Sequence, residues 1–171
     1  NLVLGPGSVV GARIAEHPNI DAVSFTGSVP TGRQIGVTCA SLGKKVQMEM
    51  GGKNPMVVMD DADLDVAIGA CVNGAFFSTG QRCTASSRLI VTKGIYDKFV
   101  DALTEAADNL VVGDALDSAT QIGPVVDEKQ LQQNVDYVKL AADEGCDVRG
   151  GSIQNGPGFF QKPAVFASAT N

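Results

Sequence analysis

The chain reads Lys45-Val46-Gln47-Met48-Glu49-Met50-Gly51-Gly52 at the point where its hydrophobic pattern changes. Apolar residues at 46, 48 and 50 alternate with polar residues at 45, 47 and 49, and this period of two is typical of a half-buried strand. The glycine pair then interrupts the alternation. We therefore predict a strand over residues 44–50 and a domain boundary just after it, with one domain over residues 1–50 and a second over residues 51–171.

Strands and helices alternate on both sides of this stretch. Outward from it, the apolar spacing predicts strands at 2–4, 20–25, 55–59 and 88–92, helices at 8–16, 30–42, 60–78, 95–106 and 131–142, and extended segments near 148, 159 and 164–166. Ser8 is the expected cap of the first helix, and Pro30 suits the first turn of the second. Strands separated by helices favour parallel pairing, so the predicted fold class is α/β with a parallel sheet.

The composition excludes several classes of protein. The chain has 171 residues, 44% apolar and 19% charged, with a net charge of -6, which suits one globular domain or parts of two. A net negative charge argues against a nucleic-acid surface, and no apolar run is long enough to span a membrane. The N-terminus lacks the basic start and cleavage site of a signal peptide, and it lacks a methionine. We expect an internal fragment of a cytoplasmic protein.

The cysteines are four isolated residues at 39, 71, 83 and 146, without a Cys-x-x-Cys pair and with a single histidine, His17. This favours reduced thiols and no zinc or other metal site. Cys71 lies on an apolar helical face and is predicted to be core. Cys83 comes just after a glycine where a helical run ends, and it could be a reactive thiol or a buried one. The neighbouring Arg82 could favour the charged thiolate, hold an acidic substrate, or face solvent.

Three short motifs resemble signatures of the aldehyde dehydrogenase superfamily. They occur in that family's order, at about its spacing, and together cover essentially the whole chain. They are Phe25-Thr26-Gly27-Ser28 followed by Gly32, then Glu49-Met50-Gly51-Gly52-Lys53-Asn54-Pro55, and then Gly80-Gln81 with Cys83 and Ala85.

The resemblance implies a fold and two catalytic residues. It implies a three-layer αβα architecture, in which residues 1–50 end a Rossmann-like cofactor domain and residues 51–171 begin an α/β catalytic domain. Cys83 corresponds to the family's nucleophile, and Glu49 to the glutamate that activates water to hydrolyse the thioester. From its position alone, Glu49 could instead be an exposed acid at a strand end. Lys53 and Asn54 are assigned packing and loop-shaping roles.

The resemblance also implies a dinucleotide cofactor, NAD or NADP. Its expected contacts are Gly5, Gly27, Ser28, Gly32, Met50 and Gly51. Gly27-Ser28 with Gly32 opens a helix whose free N–H groups would attract a phosphate, although an ordinary capped turn has the same residues. Gly5-Pro6-Gly7 with Gly11 departs from the G-x-G-x-x-G spacing by one residue. Ser28 is the expected pyrophosphate contact, with Met50 and Gly51 near the nicotinamide.

The implied activity is the oxidation of an aldehyde to a carboxylic acid. Residues 77–88 and 123–128 are most similar to the 2-oxoglutarate semialdehyde (2,5-dioxopentanoate) dehydrogenases, and succinate semialdehyde dehydrogenases are close relatives. A coenzyme A-acylating enzyme is an alternative that Glu49 disfavours, and a non-catalytic nucleotide-binding fragment is another. The family is commonly dimeric or tetrameric, so a homo-oligomer is expected. Other family site residues lie outside this chain, so we expect the isolated chain to be inactive.

Overall fold

The computed structural model describes residues 1–170 and divides the chain into two compact units. The first unit comprises residues 1–52, and the second begins at Lys53. The division falls directly after the glycine pair that interrupts the strand pattern. None of the helices within residues 1–170 is both long and apolar enough to cross a bilayer.

The first unit is built on one pair of parallel strands. A π-helical turn (Gly7–Gly11) leads into helix α1 (Ala12–Glu16). Strand β1 (Ala22–Gly27), helix α2 (Val29–Ser41) and strand β2 (Lys45–Met50) follow in that order. The register places Gly27 opposite Met50 at the carboxyl ends of the two strands. Helix α2 is the crossover between them, as a parallel pair requires.

Two predictions for the first unit are wrong. Leu2–Leu4 is not a strand, and Leu2 is 83% exposed, because no neighbouring strand within residues 1–170 offers it a ladder of hydrogen bonds. Ser8 does not cap the first helix, since it lies inside the π-helical turn. The carbonyl of Pro6 accepts hydrogen bonds from the N–H groups of Val9 and Val10 instead, both at 2.9 Å.

The second unit combines parallel and antiparallel pairs. Its first part contains β3 (Asn54–Val58), α3 (Leu64–Ala75), a 3₁₀ turn (Phe77–Gly80), β4 (Ser86–Val91) and α4 (Tyr96–Asp108). Its second part contains α5 (Glu128–Asp143), β5 (Asp147–Gly150), β6 (Ile153–Gln154), β7 (Phe160–Gln161) and β8 (Ala164–Ala167). Strands β3 and β4 are parallel, whereas β5 pairs with β8 and β6 with β7 in antiparallel fashion.

The α/β fold class is confirmed, and the strands separated by helices pair in parallel as expected, whereas the last four strands, which no helix separates, pair antiparallel. The chain between Gly150 and Ala164 contains only the short β6–β7 hairpin. A parallel pair needs a long crossover, usually a helix, and a hairpin supplies none. The strands that follow α5 therefore return antiparallel.

The core of the second unit lies between α3, α4 and the β3–β4 pair. Phe99 and Leu103 of α4 and Cys71 of α3 are at most 1% exposed, and Val58 of β3 joins them. Helix α3 begins at Leu64 rather than at the predicted residue 60, because Asp63 is its cap. The Asp63 carboxylate accepts a hydrogen bond from the Val66 N–H at 3.1 Å, which satisfies one free donor of the first turn.

Candidate active site

A left-handed turn ends α3 and directs the chain out of the core. The helix stops at Ala75 rather than at the predicted residue 78, and Ser78, Thr79 and Gly80 follow with φ of 57°, 54° and 69°. The left-handed region is strained for residues with a side chain, so two such residues in succession are unusual. A Cβ on Gly80 would lie 2.8 Å from the carbonyl oxygen of Ala75, which requires glycine there.

Cys83 lies in the exposed loop that follows this turn. The N–H of Ala85 donates a hydrogen bond to the carbonyl of Arg82 at 3.0 Å and closes a turn around Cys83. Within residues 1–170 the N–H of Cys83 has no acceptor, so a backbone donor remains free beside the thiol. The sequence left a buried thiol open for Cys83, and the structure places it at the surface.

Arg82 contacts the end of α3 rather than the thiol. Its Nη1 donates to the Asn73 side-chain oxygen at 3.3 Å, its Nη2 donates to the Asn73 carbonyl, and its Nε donates to the Phe77 carbonyl at 3.4 Å. The backbone carbonyl of Asn73 is in the last turn of α3 and would otherwise be one of the unsatisfied carbonyls of a helix end. Three roles were considered for Arg82: favouring the thiolate, holding an acidic substrate, and facing solvent. The contacts support none of them directly, because the guanidinium connects the loop to the end of α3.

Asn54 holds the same loop from the other side. Its Nδ2 donates to the carbonyl oxygen of Cys83 at 2.7 Å and to that of Ala85 at 3.2 Å. This contact joins the Glu-x-Gly-Gly-Lys-Asn-Pro motif to the cysteine motif. Asn54 was expected to shape a loop, and the structure shows that this loop is the one that carries Cys83. The sequence alone did not indicate this partner.

Cys71 is buried, whereas Cys83 is exposed. It is fully buried in the core, and burial raises the pKa of its thiol to about 11. The prediction that Cys71 is a core residue is confirmed. Cys39 is also fully buried, and Cys146 is half-buried, which leaves Cys83 as the exposed thiol among residues 1–170.

A pocket of about 590 Å³ lies beside the left-handed turn, within the second unit. Its wall includes Thr79 and Gly80 of the turn together with Lys53 and Lys162. Helix α5 contributes a polar stripe consisting of Gln130, Gln133, Asn134 and Tyr137. Sequence reasoning missed this stripe, although its spacing of three and four residues is the signal of one helical face.

Glu49 and most of the predicted cofactor contacts meet at one edge of the first unit. Glu49 lies opposite Thr26 near the carboxyl ends of β1 and β2, and Gly27 lies opposite Met50. The Glu49 side chain is exposed, and the Gln47 amide approaches it at 3.5 Å. In open α/β sheets, ligands bind outside the carboxyl ends of the strands. Glu49 is therefore on the edge where a ligand would lie.

Ser28 and Gly32 have clear local roles at the same edge. Ser28 caps α2, since its Oγ accepts from the Thr31 N–H at 3.4 Å and donates to the Thr31 hydroxyl at 2.9 Å. Gly32 is buried, and a Cβ there would lie 2.5 Å from the sulfur of Met50. Gly32 thus allows α2 to pack closely on β2.

Gly51 and Gly5 are the two predicted cofactor contacts that remain. A Cβ built on Gly51 would have no other atom within 4 Å, so a ligand could approach the backbone from that side. Gly5 precedes the π-helical turn, and no strand pairing within residues 1–170 connects it with the others. Within the same residues, His, Cys, Asp and Glu side chains do not form a group of three or more that could hold a metal ion.

These features define an α/β protein with an exposed thiol at a helix break and a glycine-rich edge on a parallel strand pair. The sequence model of the aldehyde dehydrogenase family matches residues 1–171, and the chain belongs to that family.

The chain is similar in sequence and structure to several known aldehyde dehydrogenases. The chain is 44% identical to the alpha-ketoglutaric semialdehyde dehydrogenase of Bacillus subtilis, covering 100% of this chain and 36% of the relative. It is 44% identical to the betaine aldehyde dehydrogenase of Rhizobium etli, covering 94% of this chain and 34% of the relative. A solved NAD+ complex of an aldehyde dehydrogenase from Bacillus cereus superposes with a TM-score of 0.93 at 38% identity, over 97% of this chain and 34% of that one. The chain therefore spans about a third of the length of these relatives.

Proposed function

We propose that the enzyme containing this chain oxidises an aldehyde to a carboxylic acid with NAD or NADP, and that Cys83 is its nucleophile. The observation that carries the proposal is the exposed Cys83 thiol, in a turn with a free backbone N–H, in a member of the aldehyde dehydrogenase family. A thiolate is a strong nucleophile where it is accessible, and Cys83 is accessible.

Cys83 begins the reaction as the thiolate, already without its proton, and adds its sulfur to the aldehyde carbon, which forms the anion of a thiohemiacetal with its negative charge on the former carbonyl oxygen. The free N–H of Cys83 is suited to stabilise that charge, because an unpaired backbone donor next to the nucleophile needs no reorganisation. A bound nicotinamide would supply the two-electron oxidant by taking a hydride from the thiohemiacetal carbon, so that Cys83 would hold a thioester. Water then adds to the thioester carbonyl, and the carboxylic acid departs as the thiol is regenerated.

Glu49 is proposed as the general base that removes a proton from that water. Its exposed carboxylate at the end of β2 is next to the glycine pair, where the backbone is free to present it to a cleft. A hydrolytic enzyme needs such a base, whereas a coenzyme A-acylating enzyme uses an external thiol. Glu49 therefore supports hydrolysis to the free acid.

The cofactor is proposed to lie along the edge formed by Gly27, Ser28, Gly32, Met50 and Gly51, and Gly5 is a further proposed contact. At the start of α2, the fit depends on which N–H groups are free to bind a phosphate of the dinucleotide. Pro30 has no N–H, and the Thr31 N–H is taken by Ser28, so within residues 1–170 the Val29 N–H is the donor of the first turn of α2 that is left for a phosphate. The Ser28 hydroxyl would have to turn from Thr31 to add a second donor. The NAD+ complex of the Bacillus cereus relative supports a nicotinamide dinucleotide as the cofactor.

A semialdehyde such as 2-oxoglutarate semialdehyde is the proposed substrate, with succinate semialdehyde as the alternative. The Bacillus subtilis relative supports it, but the Rhizobium etli betaine aldehyde dehydrogenase is equally similar at 44%. Arg82 gives no added support, because its guanidinium is engaged by Asn73 and Phe77. The same proposal includes a cytoplasmic homodimer or homotetramer, and an isolated 171-residue chain without turnover.

The test is NAD(P)H formation by the full-length enzyme with 2-oxoglutarate semialdehyde, succinate semialdehyde, betaine aldehyde and a neutral aliphatic aldehyde. Cys83→Ala should abolish turnover with every aldehyde, whereas Cys146→Ala, the matched control, should retain it. Glu49→Gln should give a burst of one NAD(P)H for each active site and then stall as the thioester. Turnover by Cys83→Ala would refute the nucleophile, and steady turnover by Glu49→Gln would refute the base.

A further inference from the structure

The side-chain amide of Asn54 connects the start of β3 to the Cys83 loop. Its Nδ2 donates to the carbonyl of Cys83 at 2.7 Å and to the carbonyl of Ala85 at 3.2 Å. Because carbonyl oxygens only accept hydrogen bonds, the NH₂ end of the amide must face them, which settles its orientation. One side chain therefore holds the peptide group after Cys83 and the peptide group after Ala85.

The loop's own turn holds the peptide group before Cys83. The Ala85 N–H donates to the Arg82 carbonyl at 3.0 Å, and that carbonyl belongs to the peptide linking Arg82 to Cys83. Both peptide groups flanking the Cys83 α-carbon are thus restrained. The direction of the Cα–Cβ bond follows from them, so the sulfur retains only the rotation about that bond.

Asn54 is suited to this role because its own backbone is anchored. It is the first residue of β3 and pairs with Ser86, and the strand register shifts directly after it. The Arg88 Nε donates to the carbonyl of Lys53 at 3.1 Å and holds the preceding residue against β4. Strand β3 then continues into the core at Val58, which is 2% exposed. A residue supported in this way can hold a loop more firmly than a loop residue could.

We propose that Asn54 is the positioning residue of the Cys83 loop. It orients the thiol through the backbone carbonyls of Cys83 and Ala85 and does not touch the substrate. The proposal rests on the proposed function of Cys83 as the nucleophile. Attack on an aldehyde carbon requires a near-attack geometry, and a misplacement of about 1 Å can lower the rate by about 10²-fold.

The test uses Asn54→Asp in the full-length enzyme, with Asn155→Asp as the matched control. Asn54→Asp keeps the side chain's size, removes both donors, and turns carboxylate oxygens toward two carbonyl oxygens. Asn155 lies in the exposed segment between β6 and β7 and undergoes the same chemical change. We expect kcat of Asn54→Asp to fall about 10²-fold with KM within about threefold of wild type, and both constants of Asn155→Asp to be unchanged.

Amide hydrogen exchange in the same enzymes provides a readout that does not depend on turnover. We expect the segment 83–87 to exchange at least about tenfold faster in Asn54→Asp, with α4 and α5 unchanged. If Asn54→Asp does not fold, Asn54→Ala takes its place, because it removes the donors without adding a charge.

An unchanged kcat in the folded variant would overturn the proposal, and so would a raised KM with unchanged kcat, since that pattern marks substrate contact. Unchanged exchange over residues 83–87 would overturn it as well. Failure of the proposed function is recognised separately, by turnover that persists in Cys83→Ala. If Cys83→Ala is inactive and Asn54→Asp is fully active, only the positioning role has failed.

Discussion

Two adjoining segments of the chain place the same side chain in opposite environments. Helix α3 carries Cys71 into the core, where burial raises the pKa of the thiol to about 11. The loop after α3 carries Cys83 at the surface. The two segments are separated by the left-handed turn at Ser78 and Thr79. The comparison shows that the point at which the helix ends decides whether a cysteine is inert or accessible.

The two segments are also held by different forces. Apolar packing against Phe99 and Leu103 holds Cys71, and packing of this kind is non-directional. Hydrogen bonds from Arg82 and Asn54 to backbone carbonyls hold the Cys83 loop, and they specify direction as well as position. A loop that must present a thiol in one orientation needs the second kind of support.

The largest expected difference is in the alkylation rates of the two thiols. In the native chain at neutral pH, iodoacetamide should modify Cys83 at least about 10³-fold faster than Cys71, because Cys71 reacts only when the core opens. Peptide mapping by mass spectrometry gives both rates. In denaturant the rates should converge, which is the control. Similar alkylation rates of Cys83 and Cys71 in the native chain would show that the two thiols are equally accessible and would contradict the prediction.

The buried thiol should make stability depend on pH. The pKa of Cys71 rises from about 9 in the unfolded chain to about 11 in the fold, so between these values the unfolded state binds fewer protons. The Cys71 contribution to the free energy of unfolding should therefore be constant below pH 9, fall between pH 9 and about 11 with a limiting slope of about 1.4 kcal/mol per pH unit, and level off above that. Urea unfolding of wild type and Cys71→Ala measures this. Equal pH dependence in both proteins would contradict it.

Replacing Arg82 should loosen the loop without changing substrate preference. Arg82→Met removes the hydrogen bonds to Asn73 and Phe77, and we expect kcat to fall about tenfold for acidic and neutral aldehydes alike, with KM unchanged. Arg13→Met, on the exposed face of α1, is the control. Steady-state kinetics of the full-length enzyme measures kcat and KM for both variants with acidic and neutral aldehydes. A KM raised only for semialdehydes would instead assign Arg82 to the substrate carboxylate.

The smallest effect is expected at the start of α3, far along the helix from the loop. Asp63→Ala removes the cap on the Val66 N–H and should lower the free energy of unfolding by about 1 kcal/mol. Asp65→Ala removes an acid from the same first turn without removing the cap, and its effect should be smaller. The Cys83 alkylation rate should stay the same in both variants. A changed rate would mean that the two segments are coupled.

Local sequence signals predict several elements well. Helix α2 is predicted at 30–42 and lies at Val29–Ser41, and the strand predicted at 44–50 lies at Lys45–Met50. The alternation within that strand is only partly reflected in burial, because Met48 and Met50 are half-buried but Val46 is 39% exposed. The strand wrongly predicted at residues 2–4 lacks a partner strand within residues 1–170, which a single segment does not specify, and Ser8 lies inside a π-helical turn instead of capping the helix.

The sequence by itself determined those features that depend on residues within one helical turn of each other. The core position of Cys71 is of this kind, because an apolar stripe is readable locally, and the capped turn at Ser28 was one of two interpretations that the local sequence offered. The motifs likewise indicated the family, which the match over residues 1–171 establishes.

Only the tertiary structure decided how the Cys83 loop is held. Asn54 reaches Cys83 across 29 residues, and that contact depends on the register between β3 and β4. The left-handed turn at Ser78 and Thr79 goes against the preference of residues with a Cβ. The contacts of the surrounding fold must compensate for that strain, and the motif alone does not reveal them.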